Sequence, residues 1–145
     1  MINEKNLQRV HFLEGERIFI TPRAMDDFDD HYRWNHDREL VYLNDNYFKP
    51  ESYERAREQF EERLRAEDCM CFSIILKENG EHIGLVEKYN IVDYERKGYL
   101  GIVLKKPCWR QGYRTEAAHL MLAYIFDEPG SRRLKSYTHM AILPR

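Results

Sequence analysis

The stretch Trp109-Arg110-Gln111-Gly112-Tyr113-Arg114-Thr115-Glu116-Ala117 lies between a β-rich segment and a strongly apolar one. A glycine at such a junction lets backbone N–H groups turn inward without an obstructing side chain. The predicted helix that follows leaves its first N–H groups unpaired and carries a partial positive charge at this end. These features favour an anion site suited to phosphate or pyrophosphate. On these residues alone, a structural turn with surface arginines is an equal alternative.

The segments on either side of this turn predict an α/β (α+β) fold. Upstream, the patterns predict a strand at Arg17–Thr21, helices over Met25–Tyr32 and Glu51–Ala66, and strands at Met70–Leu76, His82–Tyr89 and Tyr99–Leu104. Downstream, they predict an apolar helix at Thr115–Phe126 and a strand at Leu134–Met140. Glu78-Asn79-Gly80-Glu81 is a hairpin signal. The order implies one domain, residues 1–145, with a mostly antiparallel sheet that gains a parallel strand through the last helix.

Composition narrows the class of protein. The chain has 145 residues and a formal net charge of −2. No apolar run approaches the ~18 residues that a membrane span requires, and the first 13 residues, MINEKNLQRVHFL, lack the apolar core of a secretory signal. We therefore expect a cytoplasmic protein without a membrane partner. The sequence pI of about 6.3 also argues against a nucleic-acid partner.

Charge is unevenly distributed along the chain. Residues 26–68 carry a net charge of −7, whereas the four basic residues Lys105, Lys106, Arg110 and Arg114 follow one another without an intervening acid. This division predicts a cationic partner on one side and an anionic one on the other. The alternative is an ordinary surface of mixed charge.

The three cysteines, Cys69, Cys71 and Cys108, do not form a zinc-binding pattern. Alternation along a strand would direct Cys69 and Cys71 to the same face. We expect reduced, partly buried thiols without a chemical role, and no metal site.

The stretch Trp109–Ala117, together with Gly101-Ile102-Val103-Leu104, resembles the acetyl-CoA segment of the GNAT superfamily of N-acetyltransferases. It is most similar to the branch that acetylates ribosomal-protein N-termini and polyamines. Ile18–Met25, Trp34-Asn35-His36-Asp37 and Ile83-Gly84-Leu85-Val86-Glu87 also match that branch. The resemblance extends from about Glu16 to Met140. It implies a GNAT-like fold and acetyl-CoA as co-substrate.

The resemblance implies where acetyl-CoA binds. In that family it lies where two strands separate, so the backbone of Ile102, Val103 and Leu104 would bind the pantetheine arm as a peptide adds to a strand edge. The implied pyrophosphate and phosphate contacts come from Arg110, Gln111, Gly112, Tyr113, Arg114 and Thr115. Two residues depart from the family motif Gln/Arg-x-x-Gly-x-Gly/Ala: Trp109 at its first position and Arg114 at its sixth. The Arg114 side chain must therefore point away from the cofactor or bind a phosphate.

The family's chemistry is direct attack of an amine on the acetyl thioester, which requires a proton acceptor and a donor for the leaving thiolate. We predict that Glu87 is catalytic and receives the amine; the alternative is an exposed strand carboxylate. Packing, surface or helix-end roles are expected for the other candidates: His36, His82, Tyr99, Glu116 and His119.

Family members continue past the last predicted strand with a turn, a helix and a hairpin that supply the thiolate donor, and this sequence stops five residues after Met140. Three explanations are open: a truncated, inactive relative, a site completed by a dimer partner, or a different donor. The exposed edge of the last strand predicts a homodimer.

The resulting functional prediction is acetyl transfer to a primary amine, either a polyamine or a protein N-terminus. The net charge of −7 favours the polyamine, since this region forms the acceptor side in relatives. The alternative is a catalytically inactive GNAT-fold module that binds acyl-CoA or mediates dimer contacts.

Overall fold

The computed structural model describes residues 1–40, 50–67, 69–92, 97–127 and 139–143. Its strands are β1 (Leu13–Glu14), β2 (Ile18–Pro22), β3 (Met70–Leu76), β4 (His82–Val92), β5 (Lys97–Leu104) and β6 (His139–Leu143). The helices are α1 (Glu4–Leu7), α2 (Phe28–Asn35), α3 (Tyr53–Arg65) and α4 (Tyr113–Asp127), with short 3-10 turns at Met25–Asp27 and Lys106–Cys108.

The six strands form one sheet in the order β1-β2-β3-β4-β5-β6. Neighbours from β1 to β5 pair antiparallel, and β6 pairs parallel to β5. The predicted mixed, mostly antiparallel sheet is therefore confirmed. The parallel pair follows from the crossover through α4, which returns the chain in the direction of β5.

Helix α4 covers one face of the sheet. Its buried residues Ala117, Met121 and Ile125 join a core cluster supplied by alternate positions of the strands, among them Ile18, Ile20, Phe72, Ile74, Val86, Leu100 and Ile102. Alternate residues of a strand point to opposite faces. Glu87 therefore lies on the other face, where Arg63 of α3 contacts it.

Helices α2 and α3 pack together on that second face. Phe28 of α2 and Phe60 of α3 are both buried, with ring centroids 5.3 Å apart. The Ser52 side chain accepts a hydrogen bond from the Arg55 N–H and caps the start of α3. The result is a three-layer arrangement of α4, sheet, and the α2–α3 pair.

The predicted hairpin is confirmed. Strand β3 ends at Leu76, β4 begins at His82, and Gly80 has φ +75° in the turn. A side chain at Gly80 would also meet the Asn3 carbonyl oxygen at 2.1 Å, because the N-terminal segment docks here. Sequence patterns missed this docking and the two-residue strand β1, since both are too short to have a periodicity.

The last predicted strand differs from the observed one in its bounds. Strand β6 begins at His139 and ends at Leu143, beyond the predicted end at Met140. The remainder of the predicted strand, residues 134–138, lies outside the described residues. No helix among the described residues is long and apolar enough to cross a membrane.

Candidate active site

The loop between β5 and α4 forms an open cavity of about 230 Å³. The residues that line it are Leu104, Cys108, Trp109, Arg110, Gly112, Tyr113, Arg114 and Thr115. Six of the nine predicted cofactor residues are thus brought together there. Gln111 lies in the same loop, and its side-chain N–H donates to the Pro107 carbonyl at 2.8 Å.

The backbone of this loop suits an anion. Arg110 and Gly112 both have left-handed backbones, with φ +64° and +84°. Such turns direct successive N–H groups into one concave surface. The surface adjoins the N-terminus of the 15-residue helix α4, whose partial positive charge adds to the attraction. Arg110 and Arg114 add cationic side chains to the lining.

Arg17 and Glu116 hold the loop against the sheet. The Glu116 carboxylate accepts hydrogen bonds from the backbone N–H of Arg17 at 2.8 Å and of Ile18 at 3.2 Å. It also accepts one from the Arg17 Nε at 2.9 Å. The Arg17 Nη1 in turn donates to the Gln111 carbonyl at 2.7 Å. Glu116 therefore joins two elements, a role beyond the helix-end role expected from sequence.

Trp109 has a structural role at the end of β5. Its indole N–H donates to the Leu104 carbonyl at 2.8 Å. In the family motif that this stretch resembles, the position of Trp109 carries Gln or Arg. Here the indole fixes the strand end that borders the cavity. One acceptor site of the Leu104 carbonyl is thereby used.

Strand β6 lies along the edge of β5 that would receive the pantetheine arm. Ile102 is in register with Ile142, and Val103 with Leu143. Leu104 lies one residue beyond this paired register. The prediction that the backbone of residues 102–104 binds pantetheine stays a prediction, and at Ile102 and Val103 it requires β6 to separate from β5.

Glu87 lies on β4 with its side chain 16% exposed, in an ion-pair cluster. Its Oε1 accepts from the Nη1 of Arg23 at 2.9 Å, and its Oε2 accepts from the Nη2 of Arg63 at 3.1 Å. Burial acts to raise the pKa of Glu87, but the two guanidinium charges outweigh burial and lower it. Glu87 is therefore a fixed carboxylate. The catalytic role of Glu87 stays a prediction. It requires that Arg23 or Arg63 release one of the carboxylate oxygens.

His31 and Arg23 complete this cluster. The His31 Nδ1 and the Arg23 Nη2 are buried without a hydrogen-bond partner among the described residues. Burial, with the nearby Arg23 charge, lowers the pKa of His31 to about 4, so the ring is neutral at pH 7. Sequence reasoning missed both residues. For Arg23, only the register of β2 with β3 and of β3 with β4 brings it near Glu87.

The other candidates have structural contacts. His82 is buried, and its Nδ1 lies 2.8 Å from the Asp30 carboxylate. The Nε2 of His36 accepts from the Glu51 N–H at 3.1 Å. His119 is exposed on α4, and the side chain of Tyr99 lies outside the described residues. No group of three or more side chains suited to a metal occurs in the described part of the chain.

Known proteins share this fold. An acetyltransferase of the GNAT family from Bacillus anthracis superposes with a TM-score of 0.66 at 20% identity, covering 79% of this chain and 66% of its own. The spermidine N-acetyltransferase from Vibrio cholerae, in complex with CoA and spermine, gives 0.67 at 17% identity, covering 78% and 66%. A dodecameric structure of that Vibrio enzyme gives 0.62 at 18%, covering 78% and 64%.

These likenesses concern the fold, and the chain spans about two thirds or less of the length of those structures. No curated protein matches the sequence. A family model described as an acetyltransferase (GNAT) domain matches residues 17–141, from the start of β2 into β6. That match covers most of the chain, and with it the turn before α4 and the three-layer fold, so the chain belongs to the GNAT acetyltransferase family.

Proposed function

We propose that this protein transfers an acetyl group from acetyl-CoA to a primary amine by direct attack on the thioester. The observation that carries the proposal is the loop at residues 110–115. Two left-handed residues and the start of α4 border a cavity that two arginines line. This is a site for a pyrophosphate, and CoA carries one.

The acceptor is proposed to react on the α2–α3 side of the sheet. Glu87 is in register with Gly101 of β5, three residues before Leu104 at the cavity. That spacing corresponds to roughly 10 Å along a strand. An extended pantetheine arm spans such a distance, so a thioester would lie near Glu87 while its pyrophosphate occupies the loop.

We propose a polyamine as the acceptor. Residues 26–68 carry a net charge of −7, and α3 presents Glu54, Glu58 and Glu62 to solvent. Exposed acids of one sign concentrate a cation at the surface and raise its encounter rate. Glu87 itself contributes little to this attraction, because Arg23 and Arg63 neutralise it. A protein N-terminus is the other acceptor to test.

A second candidate function is binding of acyl-CoA without turnover. The specific observation in its favour is that both carboxylate oxygens of Glu87 accept from arginines. A carboxylate so paired does not accept a proton from an amine near neutral pH.

Thermal unfolding with acetyl-CoA, followed by an assay of CoA release, separates these functions. At about 100-fold excess over Kd, binding adds about 2.7 kcal/mol to the free energy of unfolding. If the protein is an acetyltransferase, we expect both this stabilisation and a release of CoA that depends on the amine. Stabilisation without release supports the binding module. Absence of stabilisation would contradict both.

The polyamine proposal is tested by reversing charge on α3. We expect Glu58→Lys with Glu62→Lys to lower kcat/KM for spermidine roughly three- to tenfold, with little change for a neutral amine. The matched control reverses two exposed acids elsewhere, Glu4→Lys with Glu78→Lys, one on α1 and one in the hairpin turn. Equal losses in both double variants would contradict the assignment of the acceptor to α3.

We further propose that the chain acts as one cytoplasmic domain and as a homodimer. Within the described residues the sheet order ends at β6. An unpaired strand edge favours association.

A further inference from the structure

Two thiols lie together at the start of β3. The Sγ atoms of Cys69 and Cys71 are 3.3 Å apart, and both side chains are half-buried and unoxidised. The remaining cysteine, Cys108, is buried in the α4 core. The sequence predicts only that Cys69 and Cys71 share a face, whereas the structure brings their sulfurs into contact.

The two thiols differ in how firmly their backbones are held. Cys71 is in register with Glu87 of β4, and its carbonyl accepts from the Arg23 N–H at 3.1 Å. The register of β3 begins at Met70, so Cys69 precedes it. A disulfide has an S–S length of about 2.05 Å. An approach of roughly 1 Å, by the less constrained Cys69, would close the bond.

The surroundings make Cys71 the nucleophile. The hydrogen bond with Cys69, together with the charges of Arg23 and Arg63, lowers the pKa of Cys71 to about 7, although burial and the Glu87 carboxylate act to raise it. The same contact, together with burial, raises the pKa of Cys69. Such an electropositive, partly exposed site is typical of reactive thiols.

We propose that Cys69 and Cys71 are a site of reversible oxidation that forms an intramolecular disulfide on reaction with a peroxide. The Cys71 thiolate attacks one oxygen of hydrogen peroxide, the O–O bond breaks, and Cys71 becomes a sulfenic acid. The other oxygen leaves as water after taking a proton. The Cys69 sulfur then attacks the Cys71 sulfur. The S–S bond forms, and the displaced hydroxyl leaves as a second water with the Cys69 proton. Two thiols lose two electrons, and one peroxide gains them.

The spacing makes this disulfide easy to reduce. In an extended strand, Cα atoms two residues apart are separated by about 7 Å. That lies at the upper limit of disulfide geometry, near 6.8 Å. A strained and partly exposed disulfide has a more oxidising potential than a structural one. The pair is therefore suited to reversible oxidation, and this inference does not rest on the proposed acetyl transfer.

The experiment treats the full chain with hydrogen peroxide, alkylates free thiols under denaturing conditions, and maps the peptides by mass spectrometry. We expect one peptide containing Cys69 and Cys71 that has lost two hydrogen atoms and resists alkylation. The chain should remain unlinked to other chains on a non-reducing gel, and dithiothreitol should restore both thiols. In the native reduced protein, Cys71 should be alkylated at least about tenfold faster than Cys108 at pH 7.

Variants distinguish Cys71, which attacks the peroxide, from Cys69, which attacks the resulting sulfenic acid. Cys69→Ser should accumulate a dimedone-reactive sulfenic acid at Cys71, and Cys108→Ser should form the disulfide as the unsubstituted protein does. The peptide map of the unsubstituted protein does not depend on the folding of either variant. Disulfides between chains, a sulfenic acid that persists with Cys69 present, or equal oxidation of Cys108 would each overturn the proposal.

Discussion

At the scale of single residues, backbone conformation determines the loop before α4. Arg110 has φ +64°, a conformation that costs a residue with a side chain about 1–2 kcal/mol. Gly112, at φ +84°, adopts the same region without that cost. The protein tolerates the strain at Arg110 beside the cavity, which is where strained residues that serve binding occur.

Gly112→Ala is expected to reduce acetyl-CoA binding. An alanine at this position would have a strained φ, and its Cβ would lie 3.0 Å from the Nη2 of Arg17, whose Nη1 holds the loop through the Gln111 carbonyl. We expect about 1 kcal/mol lower stability and a smaller increase in Tm with acetyl-CoA. The matched control is Gly80→Ala, another left-handed glycine, in the hairpin. It should lose stability but keep the increase with acetyl-CoA, and loss of that increase in both variants would contradict a specific role for Gly112.

A buried carboxylate is a second feature at this scale. Asp27 accepts from both terminal nitrogens of Arg9 at 2.9 and 2.8 Å, from the Ser73 hydroxyl at 2.7 Å and from the Ala24 N–H at 3.0 Å. Burial acts to raise its pKa, but these donors and the nearby His82 lower it to about 2.

Asp27→Asn should remove an acid-sensitive part of the stability. Because the folded pKa lies below the unfolded value near 4, the carboxylate stabilises the fold above pH 4 by about 2 kcal/mol, and this is lost as pH falls towards 2. Urea unfolding from pH 7 to 2 should show the variant less stable at pH 7, with the two proteins converging at low pH. The control, Asp26→Asn at an exposed neighbour paired with Lys5, should change stability by less than about 1 kcal/mol. Parallel curves for Asp27→Asn and the unsubstituted protein would contradict the low pKa.

At the scale of elements, a single side chain joins β2 to α4. Glu116, in the first turn of α4, accepts two backbone N–H groups at the start of β2, and Arg17 extends this connection to the Gln111 carbonyl. The loop that forms the cavity is therefore held by the sheet as well as by the helix. Its geometry depends on the packing of α4.

Glu116→Ala should destabilise the protein and weaken acetyl-CoA binding together. The substitution leaves the part-buried backbone N–H of Ile18 without an acceptor, at a cost of about 1–3 kcal/mol, and removes the ion pair with Arg17. Chemical denaturation and an acetyl-CoA titration measure the two effects. Glu61→Ala provides the control, because the exposed Glu61–Arg65 pair on α3 contributes about 0.5 kcal/mol or less. Equal effects of the two substitutions would contradict the connection between β2 and α4.

At the scale of the whole molecule, the sheet has two different edges. One is β1, with only two residues, and the other within the described residues is the five-residue strand β6. Short strands are a common protection of sheet edges, whereas a longer open edge is a template for pairing. Association through the β6 edge is therefore the expected form of assembly.

We expect sedimentation equilibrium at micromolar concentration to give the mass of two chains, because pairing at β6 would satisfy its outer backbone groups. A monomer alone would contradict association. A larger assembly would contradict the dimer, and the dodecameric structure of the Vibrio cholerae spermidine N-acetyltransferase is a reason to measure the mass rather than infer it.

The sequence by itself determined the elements that have a strong local pattern. The alternation of β2 and β3, the Asn79-Gly80 turn and the apolar helix α4 each depend on residues close in the chain, so their periodicity and turn chemistry could be interpreted directly. The turn at Gly112 was predictable for the same reason. Its conformation follows from one glycine and the helix that begins beside it.

Only the tertiary structure decided the contacts between distant residues. Arg23, Arg63 and Glu87 meet because the strand register and the packing of α3 bring three separate segments together. That meeting holds Glu87, which was predicted to receive the amine, in two ion pairs, and it places cationic charge near Cys71. The contact between the Cys69 and Cys71 sulfurs likewise depends on side-chain rotation within a packed layer. Sequence spacing predicts the face on which these groups lie, while the distances and charges that determine their chemistry arise from packing.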